Sequence, residues 1–286
     1  MKSLRLYFKI IYLYLTRQLV DSFDIASSYN KISDRYEELF LNDMHQYNDM
    51  ILNKYLDLIE SKNSLEILDL ACGTGYNSNY LNSKLNNSNF TLVDISNEMI
   101  QKNKDMNNLN FSFYNEDMLD FLLKEDSNKY DLIVCNWALK YQSINKMLKE
   151  CQRTLKKGGI IICLINKKQT LFEIREIYYD LLKNNISKIN KLMLDLPNPK
   201  SIKQFEKKFK KNEFETLDIF EDNHMFVFDN HIEQIEFVIN TGALAGYDVM
   251  LDLHDLKIKK DMQRLLKSKT ITHSFIGGIF LKKGEK

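Results

Sequence analysis

The chain has 286 residues, 44% apolar and 28% charged, which is enough to bury a core and far from the composition of a disordered protein. Its formal net charge of +1 excludes a global field for nucleic acid, so any such binding would need a local basic patch. The four cysteines, Cys72, Cys135, Cys151 and Cys163, form no Cys-x-x-Cys pair; this argues against a disulfide framework or a metal site and for reduced thiols in a cytoplasmic protein.

In chain order, residues 1–20 come first. Lys2, Arg5 and Lys9 precede a short apolar run, Ile10–Leu15, which is too short to span a bilayer and is followed by no cleavage signal. The expectation is an amphipathic helix packed on the protein's own core, with membrane-surface or partner contact as the second reading. Residues 21–63 keep a helical period, and with the first twenty they form an expected N-terminal helical cap over 1–63.

Beyond it, short apolar runs alternate with amphipathic stretches: 66–70, 90–94, 111–114, 130–135 and 160–165 as strands, with helices such as 96–105 and 145–155 between them. That alternation predicts an α/β core with a parallel sheet covered on both faces, occupying 64–286. Lys156-Lys157-Gly158-Gly159 reads as the end of a helix, since basic residues suit its last turn and glycine its cap. After residue 165 come a helical insertion over about 166–200, holding both prolines near its end, further helices over about 231–267, and a last strand at 271–282.

The stretch EILDLACGTG (66–75) carries the first chemical signal. A strand meets a Gly73-Thr-Gly75 turn, and Asp94 ends the next strand 19 residues later, close to the spacing of about twenty at which an acidic side chain meets ribose hydroxyls. A dinucleotide site would want a third glycine where Ser78 stands, and a P-loop would want Gly-Lys-Ser/Thr; both are absent. Asp69 lies inside the strand, and no basic cluster is present to neutralise a pyrophosphate. The site reads as one for a nucleoside that carries an amino-acid zwitterion.

DLACGTG (69–75), LVDIS (92–96), NEDM (115–118), YDLIVCNWALKY (130–141) and LKKGGIIICLI (155–165) resemble, in order and spacing, the motifs of class I S-adenosylmethionine-dependent methyltransferases. The resemblance implies a Rossmann-like, doubly wound, mostly parallel seven-stranded sheet and S-adenosyl-L-methionine as cofactor. It implies that Ala71, Cys72 and Gly73 wrap the methionine part, with Asp69 at its amino end and Gly75 in the turn. Asp94 would hold the ribose. Ile95 and Met99 would face the adenine, Asp117 and Met118 would bond its edge, and Cys135 and Asn136 would floor the site. Tyr29, which ends a signature at 22–29, or alternatively Tyr36 would close over the cofactor. Trp137 and Tyr141 would face the substrate. Alanine at 71 and Lys140, where relatives often carry histidine, depart from the pattern.

Phe172 and Tyr178, on an apolar helical stripe, are candidate substrate contacts, and His231 and then Tyr141 are candidate bases. No metal is expected. The tail, 229–246 with the last strand, is similar to that of malonyl-carrier-protein and trans-aconitate carboxyl methyltransferases. The expected activity is therefore methyl transfer to an oxygen or nitrogen of a small-molecule or carrier-bound acceptor, without nucleic acid. The alternatives are RNA modification, for which only the basic segment 203–211 speaks, and a non-catalytic cofactor-binding partner subunit.

Overall fold

The structure is a computed structural model that describes residues 2–36, 42–59, 64–106 and 111–284, with the side chains of 33–36 and 42 outside the description. In chain order the first elements are α1 (Lys2–Leu15), α2 (Ser22–Tyr36), α3 (Asn42–Leu58), β1 (Glu66–Leu70), α4 (Tyr76–Asn82), β2 (Asn89–Asp94), α5 (Asn97–Met106), β3 (Ser112–Asn115), α6 (Met118–Lys124) and β4 (Tyr130–Val134). Next are α7 (Ile144–Thr154), β5 (Leu155–Asn166), α8 (Phe172–Asn184), α9 (Ile202–Lys211), β6 (Phe214–Val227), α10 (His231–Asn240), α11 (Tyr247–Met250), α12 (Leu256–Leu265) and β7 (Thr270–Lys282).

The chain folds as two compact units: Met1–Asn42, Gln169–Asp195 and Asn223–His273 form the first, and Asp43–Lys168, Leu196–Asp222 and Ser274–Lys286 the second. The strands form one seven-stranded sheet in the order β3-β2-β1-β4-β5-β7-β6. β1 pairs in parallel with both β2 and β4, β2 with β3 and β4 with β5, whereas β7 runs antiparallel to β5. This is the mostly parallel α/β sheet that the strand–helix alternation predicts. Because β1 has β2 on one side and β4 on the other, the chain reverses its winding there. A crevice at the carboxyl ends of those strands is where such sheets take ligands.

Continuous apolar runs such as Leu132-Ile133-Val134 belong to strands covered on both faces, and all three residues are fully buried. On one face of the second unit, Leu70, Ile133, Ile161, Cys163 and Phe280 pack under α6, α7 and α9 through Phe121, Met147, Phe205 and Phe209. α9 explains the basic segment: Phe205 and Phe209 point inward, Lys203, Lys207, Lys210 and Lys211 are exposed, and Lys210 pairs with Glu206 at 2.9 Å. On the other face α3 contributes Tyr47, whose ring meets that of Phe275 at 4.6 Å. All four cysteines are buried and free.

One local expectation is corrected. Lys156–Gly159 does not close a helix: α7 ends at Thr154, and Leu155 is already extended, with φ −68° and ψ 141°. The segment forms the first part of β5, whose register against β4 shifts between Tyr130 and Leu132. Gly158 supplies the left-handed φ of 78° at that irregularity, and a Cβ on Gly159 would lie 2.9 Å from the Lys156 carbonyl oxygen. β6 runs unbroken over 14 residues, Phe214–Val227.

Phe209 stacks on Phe280 with centroids 3.5 Å apart and meets Phe205 and Phe214 edge-on at 5.0 and 5.6 Å. Replacing this fully buried ring, Phe209→Ala, is expected to cost about 3–5 kcal/mol, read as a lower urea midpoint with an unchanged slope.

Candidate functional site

The site begins where β1 stops. Ala71 takes φ 56°, Gly73 54° and Gly75 90°, so the backbone turns back on itself three times within five residues. The Cys72 N–H donates to the Val93 carbonyl at 3.0 Å and the Gly75 N–H to that of Cys72 at 2.9 Å. Gly75 admits no side chain: a Cβ there would lie 2.4 Å from the amide of Asn103, which is itself fully buried on α5. Gly73 is the opposite case, with no atom within 4 Å of a Cβ placed on it. The turn is braced from behind at Gly75 and open at Gly73.

Two buried carboxylates stand at this turn. Asp94, at the tip of β2, accepts from the Gly73 N–H through Oδ2 and from the Ser96 N–H through Oδ1, each at 2.8 Å. Burial raises its pKa, and the two N–H bonds oppose that rise. Asp69, 1% exposed within β1, accepts from the Ser78 hydroxyl at 2.7 Å through Oδ2, whereas its Oδ1 has no hydrogen-bond partner. Burial pushes its carboxyl up to about 7; the Ser78 bond lowers it and the negative charge of Asp94 raises it further. Ser78 is the residue that sequence reasoning missed. Its standing in a dinucleotide fold's third-glycine place was the signal, and its task is to hold Asp69.

The expected adenine side is more occupied. Asp117 caps α6, its Oδ1 accepting from the Leu119 N–H at 2.9 Å, and its Oδ2 takes the Gln142 amide at 2.6 Å. Met99 and Met118 are buried, while Ile95 is half-buried.

At the end of β4, Cys135 is fully buried and its thiol is pushed up to about 12 by burial and the charge of Asp69, with Lys140 acting in the opposite sense. Asn136 donates to Asn77 Oδ1 and accepts from the Leu164 N–H, both at 3.1 Å, so it ties α4 to β5. Trp137 has a left-handed φ of 66°. Its N–H donates to the Leu164 carbonyl at 2.7 Å, its indole N–H donates to Asn48 Oδ1 at 2.9 Å, and its ring meets Phe275 edge-on at 5.2 Å. Lys140 closes this segment. It is 6% exposed, donates to the Trp137 carbonyl at 2.5 Å and sits 4.5 Å above the Tyr141 ring. Burial lowers its pKa to about 7.

The remaining predicted residues lie in the first unit. Tyr29 packs its ring against Gly242, where a Cβ would be 2.7 Å from the ring edge. Tyr36 ends α2, and its side chain is outside the described residues. Phe172, at the start of α8, is 46% exposed. Tyr178 meets Tyr247 edge-on at 5.3 Å, with its hydroxyl buried and unpartnered. His231 Nδ1 shares a hydrogen bond with Gln234 Oε1 at 2.9 Å. Thus the second unit brings Asp69, Ala71–Gly75, Asp94, Cys135–Trp137 and Tyr141 to neighbouring strand ends, and adds Lys140. Among the described residues no group of three or more His, Cys, Asp or Glu could hold a metal ion.

These residues fit a sulfonium nucleoside. The lone buried oxygen of Asp69 suits an ammonium group, Asp94 keeps unused lone pairs for vicinal hydroxyls, and the space at Gly73 admits a close approach.

A model of the methyltransferase domain matches residues 67–159. The chain is 30% identical over 161 residues to a malonyl-[acyl-carrier protein] O-methyltransferase of Ilyobacter polytropus, an alignment covering 55% of this chain and 60% of that protein. It is also 30% identical over 183 residues to a ubiquinone/menaquinone biosynthesis C-methyltransferase of Rickettsia bellii, covering 59% of this chain and 71% of the relative. The crystal structure of the YcgJ protein from Bacillus subtilis shares the fold, with a TM-score of 0.54 and 16% identity over 82% of this chain and 99% of that one.

Two outcomes are expected. An ammonium ligand needs Asp69 ionised, and its raised pKa means that protons compete with the ligand below about pH 7. Calorimetry should therefore show S-adenosylmethionine affinity falling roughly tenfold per pH unit below 7, a dependence that Asp69→Asn removes along with most of the affinity. Asp94→Asn, which keeps one acceptor oxygen for the turn, should weaken binding by about 10- to 100-fold while circular dichroism stays unchanged.

Proposed function

Because the chain belongs to the class I S-adenosylmethionine-dependent methyltransferases, we propose that it transfers a methyl group to an oxygen or nitrogen of a small-molecule or carrier-bound acceptor. The observation that carries this reading is the buried pair Asp69 and Asp94 at adjacent strand ends, one with an unpartnered oxygen and the other bonded to the open turn. S-adenosylmethionine, when bound, supplies a methyl carbon made electrophilic by a positively charged sulfur.

The chain's own residues then have three tasks. Asp69 receives the amino end and Asp94 the ribose hydroxyls, with Ala71, Cys72 and Gly73 between them. Ile95, Met99 and Met118 offer apolar contact to the base, and Asp117 can accept from its amino group while keeping its cap on α6. The second task is exclusion of water. Cys135 and Asn136 are buried, so a nucleophile brought to them would be stripped of solvent, which speeds a displacement that disperses charge.

The third task is removal of a proton from an O–H or N–H acceptor. An amine whose proton leaves near pH 7, within electrostatic reach of Cys135, makes Lys140 the best-supported base of this site, ahead of His231 and Tyr141. The similarity to an O-methyltransferase supports an oxygen acceptor. The similarity to a C-methyltransferase supports carbon as a second reading, for which the same base would take the proton from carbon.

Incubation of candidate acceptors with methyl-labelled cofactor, read by mass spectrometry and by the carbon shift of the new methyl, tests the reaction and separates oxygen or nitrogen from carbon. A retained tRNA or rRNA carrying the label would replace this reading with RNA modification. Lys140→Met should lower kcat by about 100-fold or more while cofactor affinity changes less than about threefold, whereas Lys140→Arg should keep the fold and remain slow. In the parent enzyme kcat should rise with pH through about 7 as the amine loses its proton. An unchanged rate in Lys140→Met would remove the lysine from the chemistry.

A further inference from the structure

Helix α1 is inverted. Leu6 and Leu13, seven residues apart and 1% and 0% exposed, mark the one face it buries, against α8 and the 3-10 turn Ile186–Lys188 of its own unit. Residues at i, i+4, i+7 and i+11 lie along one stripe of a helix, and here that stripe is Leu4, Phe8, Ile11 and Leu15, opposite the buried face. Leu4 is 59% exposed, Phe8 59% and Leu15 74%. Tyr7 at 60% and Tyr14 at 58% flank it on one side, and Tyr12 at 54% on the other. A surface helix ordinarily turns its charged face to water. This one turns an aromatic and aliphatic face outward.

Its charges are one-sided. Lys2, Arg5 and Lys9 gather between the Tyr12 edge and the buried face, Arg17 follows the helix, and no acidic residue occurs within 2–20. A contiguous exposed apolar stripe marks an interaction surface, and the basic border selects an anionic occupant. Tyrosine combines an apolar ring with a polar hydroxyl, which suits a headgroup boundary, and phenylalanine adds apolar area beneath it. At 14 residues α1 is about 21 Å long, and no helix among the described residues is long and apolar enough to cross a membrane, so such a helix would lie in the interface plane.

We propose that α1 is a lipid-docking helix that rests on an anionic bilayer surface, with Leu4, Phe8, Ile11 and Leu15 entering the acyl boundary and Lys2, Arg5 and Lys9 meeting headgroup phosphates. The inference is independent of the methyl-transfer reading, because it rests on one helix of the first unit and its readout is vesicle binding.

Co-sedimentation of the full chain with vesicles of phosphatidylcholine alone, and of phosphatidylcholine with phosphatidylglycerol, tests it. Binding should be at least about tenfold tighter to the anionic vesicles and should weaken on raising salt from about 0.1 to 0.5 M. Phe8→Glu should abolish it, and Arg5→Gln with Lys9→Gln should lower it about thirtyfold on anionic vesicles only. All these positions except the partly covered Lys9 and Ile11 are exposed, so melting temperature and cofactor affinity should stay at parent values. Equal binding to both vesicles, or unchanged binding by Phe8→Glu, would overturn the proposal. So would an absence of vesicle binding together with self-association that Phe8→Glu dissolves, which would assign the face to a second copy of the chain.

Discussion

The carboxylate of Asp94 joins two pieces of backbone that otherwise have no reason to stay together. One oxygen takes the N–H of the glycine turn after β1, and the other takes the N–H that precedes α5, each at 2.8 Å. Removed from water, such charge-assisted bonds are stronger than neutral ones, and an unmade one would leave a buried N–H orphaned. The open Gly73, the braced Gly75 and the partnered side of Asp69 all take their places around this link. A ligand that bonds Asp94 therefore finds its cradle already built, with little ordering left to do on binding.

Around Cys135 the same burial acts on opposite charges. Asp69 is pushed up to about 7 and Lys140 down to about 7, and both act on the thiol between them in charge. Burial makes the charged form of each group costly, a cost that one hydrogen bond apiece, from Ser78 to Asp69 and from Lys140 to Trp137, offsets only in part. A cationic ligand offsets that cost at Asp69. At Lys140 the local restraint is the carbonyl of Trp137, whose left-handed backbone is fixed by three hydrogen bonds and an aromatic contact. Strain fixed that firmly at the end of a strand belongs to a site where position matters.

The sheet and the turn were legible because they depend on local pattern. Apolar runs gave β1, β2 and β4 to within a residue at each end, and Gly73, Gly75 and Asp94 stand at the spacing of a glycine turn and an acidic tip on neighbouring strands. What escaped depends on contacts distant in sequence. Ser78 spoke only as a missing glycine, although it holds Asp69, and Asn103 gave no sign that it backs Gly75. Lys140 read as a departure from a histidine, because burial, the property that makes its amine useful, cannot be seen in a composition. The glycines at 158 and 159 misled for the converse reason, since a helix cap and a strand irregularity both call for the same residue. In α1 the apolar period was visible from the start, but which of its faces turned inward was not.

All of this turns on whether Asp69 and Asp94 hold the two ends of one ligand. The most direct measurement is the crystal structure of the chain with S-adenosylhomocysteine. The account predicts the ligand's amino group within hydrogen-bond reach of Asp69 Oδ1 and its ribose hydroxyls on Asp94, with Gly73 against the chain between them. Well-occupied ligand bound elsewhere, with Asp69 Oδ1 still bare, would contradict it.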